Sequence, residues 1–202
     1  YIGMLICRYN DKHDDTKYTT YPPFPTKIPP VPCQPPEISL PLAPSTLKNR
    51  QPMSYTRLLY HLIFRPRYSR PAITEAHEKL LYHYIWGIVK AKGGVLYRIG
   101  GMPDHLHLLV QLPPTLSLSG FMHDLKLSTH YFLREHREEF PLFEGWGKSY
   151  GALTCSARDK ERVTAYIQNQ KEHHRTTTLA DELSGLWREN GWEAGAEQFL
   201  AD

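Results

Sequence analysis

Residues 103–110 read PDHLHLLV, and residues 166–174 read YIQNQKEHH. The first stretch places two imidazoles one residue apart in an apolar run. The second places a tyrosine four residues before a glutamine. Side chains alternate along a strand, so His105, His107, Leu109 and Gln111 share one face, and Leu106, Leu108, Val110 and Leu112 share the other. The aliphatic side is the one to pack on helices, which leaves both imidazoles on the open face. Such a pair could chelate one divalent metal, or could simply be a polar strand surface. On a helix, Tyr166, Asn169, Gln170 and His173 fall at i, i+3, i+4 and i+7 and form one face. That face is either a solvated surface or a tyrosine nucleophile one turn from a carboxamide ligand.

Taken together, the two stretches suit phosphoryl transfer. Two imidazoles and a carboxamide oxygen make a neutral, incomplete coordination site. Mg²⁺ or Mn²⁺ at His105, His107 and Gln170 could take phosphate oxygens and neutralise developing charge. A phenol titrates near about 10, so Tyr166 needs electrostatic help or a base before it attacks. Its phosphodiester product stores the bond energy and allows rejoining rather than hydrolysis.

The surrounding pattern says what positions these groups. Period-two apolar runs predict strands over 56–64, 95–102, 105–112 and 149–156. Helical periodicity predicts helices over 74–94, 118–139 and 158–175, and a shorter one within 179–190. Thr74 is the expected cap of the first helix, whose stripe is Leu81, Tyr84, Ile85, Ile88 and Val89, and Gly93-Gly94 ends it. The order β-α-β-β-α-β-α predicts an α+β, ferredoxin-like (split β-α-β) fold: an antiparallel sheet with helices on one face plus a C-terminal catalytic helix.

The composition bounds the setting. At 202 residues with a net charge of +3, the chain permits a nucleic-acid partner without announcing one. No run approaches the roughly 20 apolar residues of a membrane span. Cys7, Cys33 and Cys155 share no metal-type spacing, and the odd count argues against a disulfide framework, so a cytoplasmic location is expected. Eleven of the 17 prolines lie in residues 1–52, which predicts a disordered, polyproline-like extension there. The regular pattern opens at Met53, which also suggests a start site placed too far upstream. The expected organisation is this extension, a domain over 53–176, and a helical tail over 177–202.

Several side chains carry two readings. Arg65, Arg67 and Arg70, with Lys126 and Lys148, could contact phosphates or be scattered surface charges. Asp104 could orient an imidazole or serve its turn, and His173 and His174 could meet metal or DNA or favour a helix end. Cys155 and Trp86 read as core residues.

With both stretches in view, residues 55–175 resemble the single-tyrosine HUH transposases of small bacterial insertion sequences, including relatives tied to repetitive extragenic palindromes. His105-Leu106-His107 within GGMPDHLHLLVQLPP matches the histidine-hydrophobe-histidine motif, and YIQNQ matches the catalytic-helix motif with Tyr166 and Gln170 in place. YHLIF at 60–64 and SYGALTCS also look like family strands. The resemblance implies cleavage of single-stranded DNA at imperfect hairpins, a 5′-phosphotyrosine, rejoining without ATP, and a homodimer with active sites shared between subunits. It implies a bacterial mobile element and DNA recombination. Where the family often has a Ser/Thr-Lys stretch and a Trp-Gln-aromatic pattern, this chain has RPRYSRP and EGWGKSYGAL. The competing expectations are a replication initiator with the same motif and a hairpin-DNA-binding protein that no longer transposes.

Overall fold

The computed structural model describes residues 55–192 and 196–201; the expectations for residues 1–52 lie outside the described residues. Strand β1 (Leu58–Phe64) leads through a short 3-10 turn to helix α1 (Glu78–Ala91). Strands β2 (Val95–Met102) and β3 (His105–Leu112) follow, joined at Pro103-Asp104. Helix α2 (Leu118–Glu135), strand β4 (Gly151–Cys155) and helices α3 (Lys160–Gln168), α4 (Gln170–His173), α5 (Leu179–Glu189) and α6 (Glu197–Leu200) complete the order.

The four strands form one antiparallel sheet in the order β2-β3-β1-β4. This is the α+β, ferredoxin-like arrangement that the strand and helix order predicts. Leu106, Leu108, Val110 and Leu112 of β3 join Leu81, Ile85 and Val89 of α1 and Phe121, Met122 and Leu125 of α2 in the main core. Every second residue of β3 is thus committed to the helices α1 and α2.

Local chemistry sets the ends of α1. The helix begins at Glu78 rather than at 74, with His77 at the N-cap position. The Thr74 carbonyl instead accepts from the backbone N–H groups of His77 and Glu78 in a preceding turn. Gly93, at φ +74°, reverses the chain after Lys92, and Gly94 N–H returns to the Val89 carbonyl.

Helices α1 and α2 lie on one sheet face, as expected, but the opposite face, expected to be open, is not. It is covered too: α3 packs with Leu109 through Val163 and Ile167, and α5 packs with Ile63 through Leu179, Leu183 and Trp187. Two glycines permit this covering. The register sets Gly100 beside His107, His107 beside Ile63, and Ile63 beside Gly151 in one row across all four strands. A Cβ on Gly100 would lie 2.6 Å from the Ile167 carbonyl oxygen, and one on Gly151 would lie 2.8 Å from the Trp187 ring. The bare backbone at the two ends of the row lets α3 and α5 approach the sheet closely.

Gly100→Ala is therefore expected to destabilise the protein by about 1–3 kcal/mol, because its new methyl group meets backbone that cannot rotate away. Gly87→Ala, on an open helix surface with nothing within 4 Å, is the control and is expected to be neutral or slightly stabilising. Urea unfolding midpoints check this; equal midpoints for Gly100→Ala and the parent would refute the close-approach argument.

Candidate metal centre and its tyrosine

His105 and His107 point to the same side of β3, as strand alternation requires, but that side is not open. Helices α3 to α5 leave them 1% and 0% exposed. Buried imidazoles need partners, and each finds one through Nδ1. His105 Nδ1–H donates to the Asp104 carboxylate at 2.8 Å, and His107 Nδ1 meets His61 Nε2 at 2.9 Å. The Asp104 carboxylate requires the proton on His105 Nδ1, and His107 takes the same tautomer when it donates to His61; in that form both Nε2 lone pairs point into the interior. Neither Nε2 has a hydrogen-bond partner among the described residues.

Gln170 approaches the same interior. The helical run expected over 158–175 breaks at Asn169 (φ −95°, ψ 14°), which divides it into α3 and α4. In consequence Asn169 is exposed, while Gln170 is buried with its Oε1 unpaired. The expected single face of Tyr166, Asn169, Gln170 and His173 is corrected accordingly: Asn169 leaves it. Tyr166 stays half-buried beside the histidines of its own chain, with its ring centroid 6.0 Å from that of His107 and 5.9 Å from that of His61.

Glu182 enters from α5. Thr178 caps that helix by accepting from Asp181 N–H, and Leu179, Leu183 and Trp187 bury one face of it. Glu182 lies on the same face and is 4% exposed. Its carboxylate accepts from the Tyr166 hydroxyl, from Gln170 Nε2 at 2.8 Å and from His174 Nε2 at 3.1 Å. It lies 3.7 Å from His105 Nε2 and 3.6 Å from His107 Nε2, too far for hydrogen bonds. One ligand atom from each of His105, His107 and Glu182 fits within a span of 4.8 Å, a group that could hold a metal ion. The two Nε2 atoms, buried and unpaired in front of the carboxylate, fit a divalent cation; the Gln170 oxygen is also buried and unpaired, while the Gln170 Nε2 faces Glu182.

The environment sorts the charges. Burial, then the neighbouring His107, pushes His61 down to about 3. Burial also lowers His107 to about 4, with Glu182 opposing. Both are neutral near pH 7, the form in which imidazole ligates metal. Burial would raise the Glu182 carboxyl, but His107, His174 and the Tyr166 hydroxyl overcome it and hold the carboxyl far below its usual range. Burial followed by the Glu182 charge pushes the Tyr166 phenol well above its ordinary value.

A cleft of about 390 Å³ adjoins these groups and is lined by His61, Tyr166, His173, Glu182 and, from α3, Arg162. The basic residues singled out in the sequence lie in unlike places. Arg65 is 1% exposed and donates to the Phe199 carbonyl at 2.8 Å, so it ties α6 to the end of β1 rather than forming an exposed patch. Lys126 donates to the carbonyls of Gly147 and Ser149. Arg67, Arg70 and Lys148 are exposed, and Arg70 pairs with Glu144. Sequence reading missed His61 and Glu182. The signal for Glu182 was a carboxylate inside the apolar stripe of an amphipathic helix. His61 needed the β1–β3 register, which sets its neighbour Ile63 opposite His107.

Fold and site together describe an α+β protein with a cation-sized polar pocket beside a phenol. Residues 54–170 match the family model described as "Transposase IS200 like", and the chain belongs to that family. It is 25% identical over 129 residues to the transposase for insertion sequence element IS200 of Salmonella typhimurium, covering 62% of this chain and 82% of the relative. It is 27% identical over 120 residues to the ISDra2 transposase TnpA of Deinococcus radiodurans, covering 57% of this chain and 86% of that protein. A solved structure of a REP-associated tyrosine transposase bound to a REP hairpin shares 16% identity at a TM-score of 0.47, covering 62% of this chain and 74% of that one. Among the described residues, no helix is long and apolar enough to cross a membrane.

The buried neutral histidines predict acid sensitivity. The unfolded chain takes up protons at histidine near pH 6.5, whereas folded His61 stays neutral to about pH 3. The unfolded state thus binds more protons across that window, and stability is lost as pH falls through it. For His61 alone the loss between pH 7 and pH 5 is about 2 kcal/mol. His61→Gln should therefore show a shallower fall in unfolding free energy over that range, measured by urea titration at each pH; parallel curves for parent and variant would contradict the assignment.

Proposed function

We propose that this transposase cuts and rejoins single-stranded DNA at hairpin-marked ends, with Tyr166 as nucleophile and His105, His107 and Gln170 as ligands of Mg²⁺ or Mn²⁺. One observation carries the reading: the buried, unpaired His105 Nε2 and His107 Nε2 face the Glu182 carboxylate, on which the Tyr166 hydroxyl and the Gln170 amide also converge. When bound, the cation would polarise the scissile phosphate and offset the charge that develops on it. The remaining work belongs to the protein. Asp104 and His61 fix the ring orientations that aim both Nε2 atoms inward, and the Asp104 carboxylate also fixes the His105 tautomer. The Glu182 carboxylate orients the phenol.

In the cutting step the Tyr166 oxygen bonds to phosphorus and the bond from phosphorus to the 3′ oxygen breaks. The proton lost by the phenol balances the one gained by the new 3′-hydroxyl. The reverse step, with a different 3′-hydroxyl, rejoins strands and needs no nucleotide cofactor. Arg162 on the cleft and the exposed Arg67, Arg70 and Lys148 are the cations offered to the DNA backbone. Tyr166 reaches the histidines of its own chain, so a homodimer with shared sites would exchange α3 between subunits.

The test is a covalent adduct. The full chain, incubated with Mn²⁺ and a labelled single-stranded oligonucleotide bearing the element-end hairpin, is expected to give a labelled protein band on a denaturing gel. Tyr166→Phe should abolish the band, and His105→Ala/His107→Ala should reduce it at least about 100-fold. Hairpin binding without an adduct would point instead to a DNA-binding descendant that no longer transposes.

A further inference from the structure

We infer that Glu182, carried by helix α5, is a direct ligand of the metal and makes the tail part of the active centre. The inference rests on the site reading above but concerns a residue outside the stretch that matches the family, which ends at residue 170. Three observations converge. First, the separations of 3.6 and 3.7 Å from its oxygens to His107 Nε2 and His105 Nε2 exceed a hydrogen bond. Two ligand atoms sharing one divalent ion through bonds of about 2.1 Å lie about 3.0–3.7 Å apart. Second, both Nε2 atoms are buried without a hydrogen-bond partner, and both face the carboxylate. Third, a carboxylate inside the apolar stripe of α5 costs desolvation, and Leu179, Leu183 and Trp187 nevertheless hold it there.

The chemistry of the set follows. Two imidazoles and a carboxamide are neutral donors, and Mg²⁺ or Mn²⁺ binds weakly to such a site. An anionic oxygen adds the hard, charged ligand these ions prefer. Glu182 would then couple three events through one side chain: it binds the metal, holds the Tyr166 hydroxyl next to it, and fixes α5 on the sheet.

Mn²⁺ affinity, read by titration calorimetry and by the loss of free Mn²⁺ signal in electron paramagnetic resonance, tests this on the full chain without DNA. Glu182→Gln keeps the shape and the hydrogen bonding to Tyr166, and Glu182→Ala removes both; circular dichroism confirms that each is folded. The expected result is Mn²⁺ binding by the parent, a loss of affinity of at least about 10-fold to 100-fold in both Glu182 variants, and no binding by His105→Ala/His107→Ala. Unchanged or tighter binding in Glu182→Gln, with binding still abolished in the double histidine variant, overturns the inference and leaves the histidine site standing. Mn²⁺ binding that persists in the double histidine variant overturns both.

Discussion

A single buried carboxylate organises the functional half of this molecule. Glu182 accepts from Tyr166, Gln170 and His174 and faces His105 and His107, so groups from β3, α3, α4 and α5 meet at two oxygen atoms. Burying an ionised carboxylate is costly unless its neighbours supply hydrogen bonds and positive potential. Here they do, and the requirement runs both ways: the carboxylate needs the histidines and the tyrosine, and they need something polar at the buried end of the cleft. The geometry of α3 to α5 follows from that mutual demand as much as from the apolar contacts of Ile167 and Trp187.

The outer ring of contacts has a different task. Asp104 accepts from His105 Nδ1–H and so sets which nitrogen of that ring carries its proton, and His61, which lines the cleft, meets His107 Nδ1. An imidazole that presents the wrong tautomer offers an N–H where a lone pair is needed. The pocket is therefore defined by two layers, one that faces inward and one that decides what the inward layer presents.

Much of this was legible in the sequence, and the reason lies in how each feature is encoded. The bounds of β2 and β3 agree with the alternation in VLYRIGGM and HLHLLVQL, because a strand with one face on a core states its own period. The common direction of His105 and His107 follows from the same rule. What alternation does not encode is the cover over that face. The docking of α5 depends on the fit of Trp187 over Gly151, a pair of positions far apart in the chain that no local window joins. Glu182 stayed hidden because an amphipathic helix with acidic residues in its first turn is ordinary capping chemistry. Arg65 misled in the opposite direction: an arginine after a strand reads as surface, and only the packing of α6 reveals its buried carbonyl partner. The break at Asn169 was also invisible, since YIQNQKEHH carries neither glycine nor proline.

The row Gly100–His107–Ile63–Gly151 has a consequence for the order in which the molecule can assemble. Strands β2 and β3 are adjacent in sequence and pair as a hairpin, a local event with little loop closure to overcome. The partners that enclose their histidines come from much farther along: His61 and His107 are 46 positions apart, and Glu182 comes from a helix beyond β4. Long-range pairings form late because their closure entropy is met before their contacts reward it. A chain in which only the hairpin has formed holds both histidines on a strand and has nothing yet to close around them. The enclosure of the two histidines thus waits on the strands and helices at both ends of the domain.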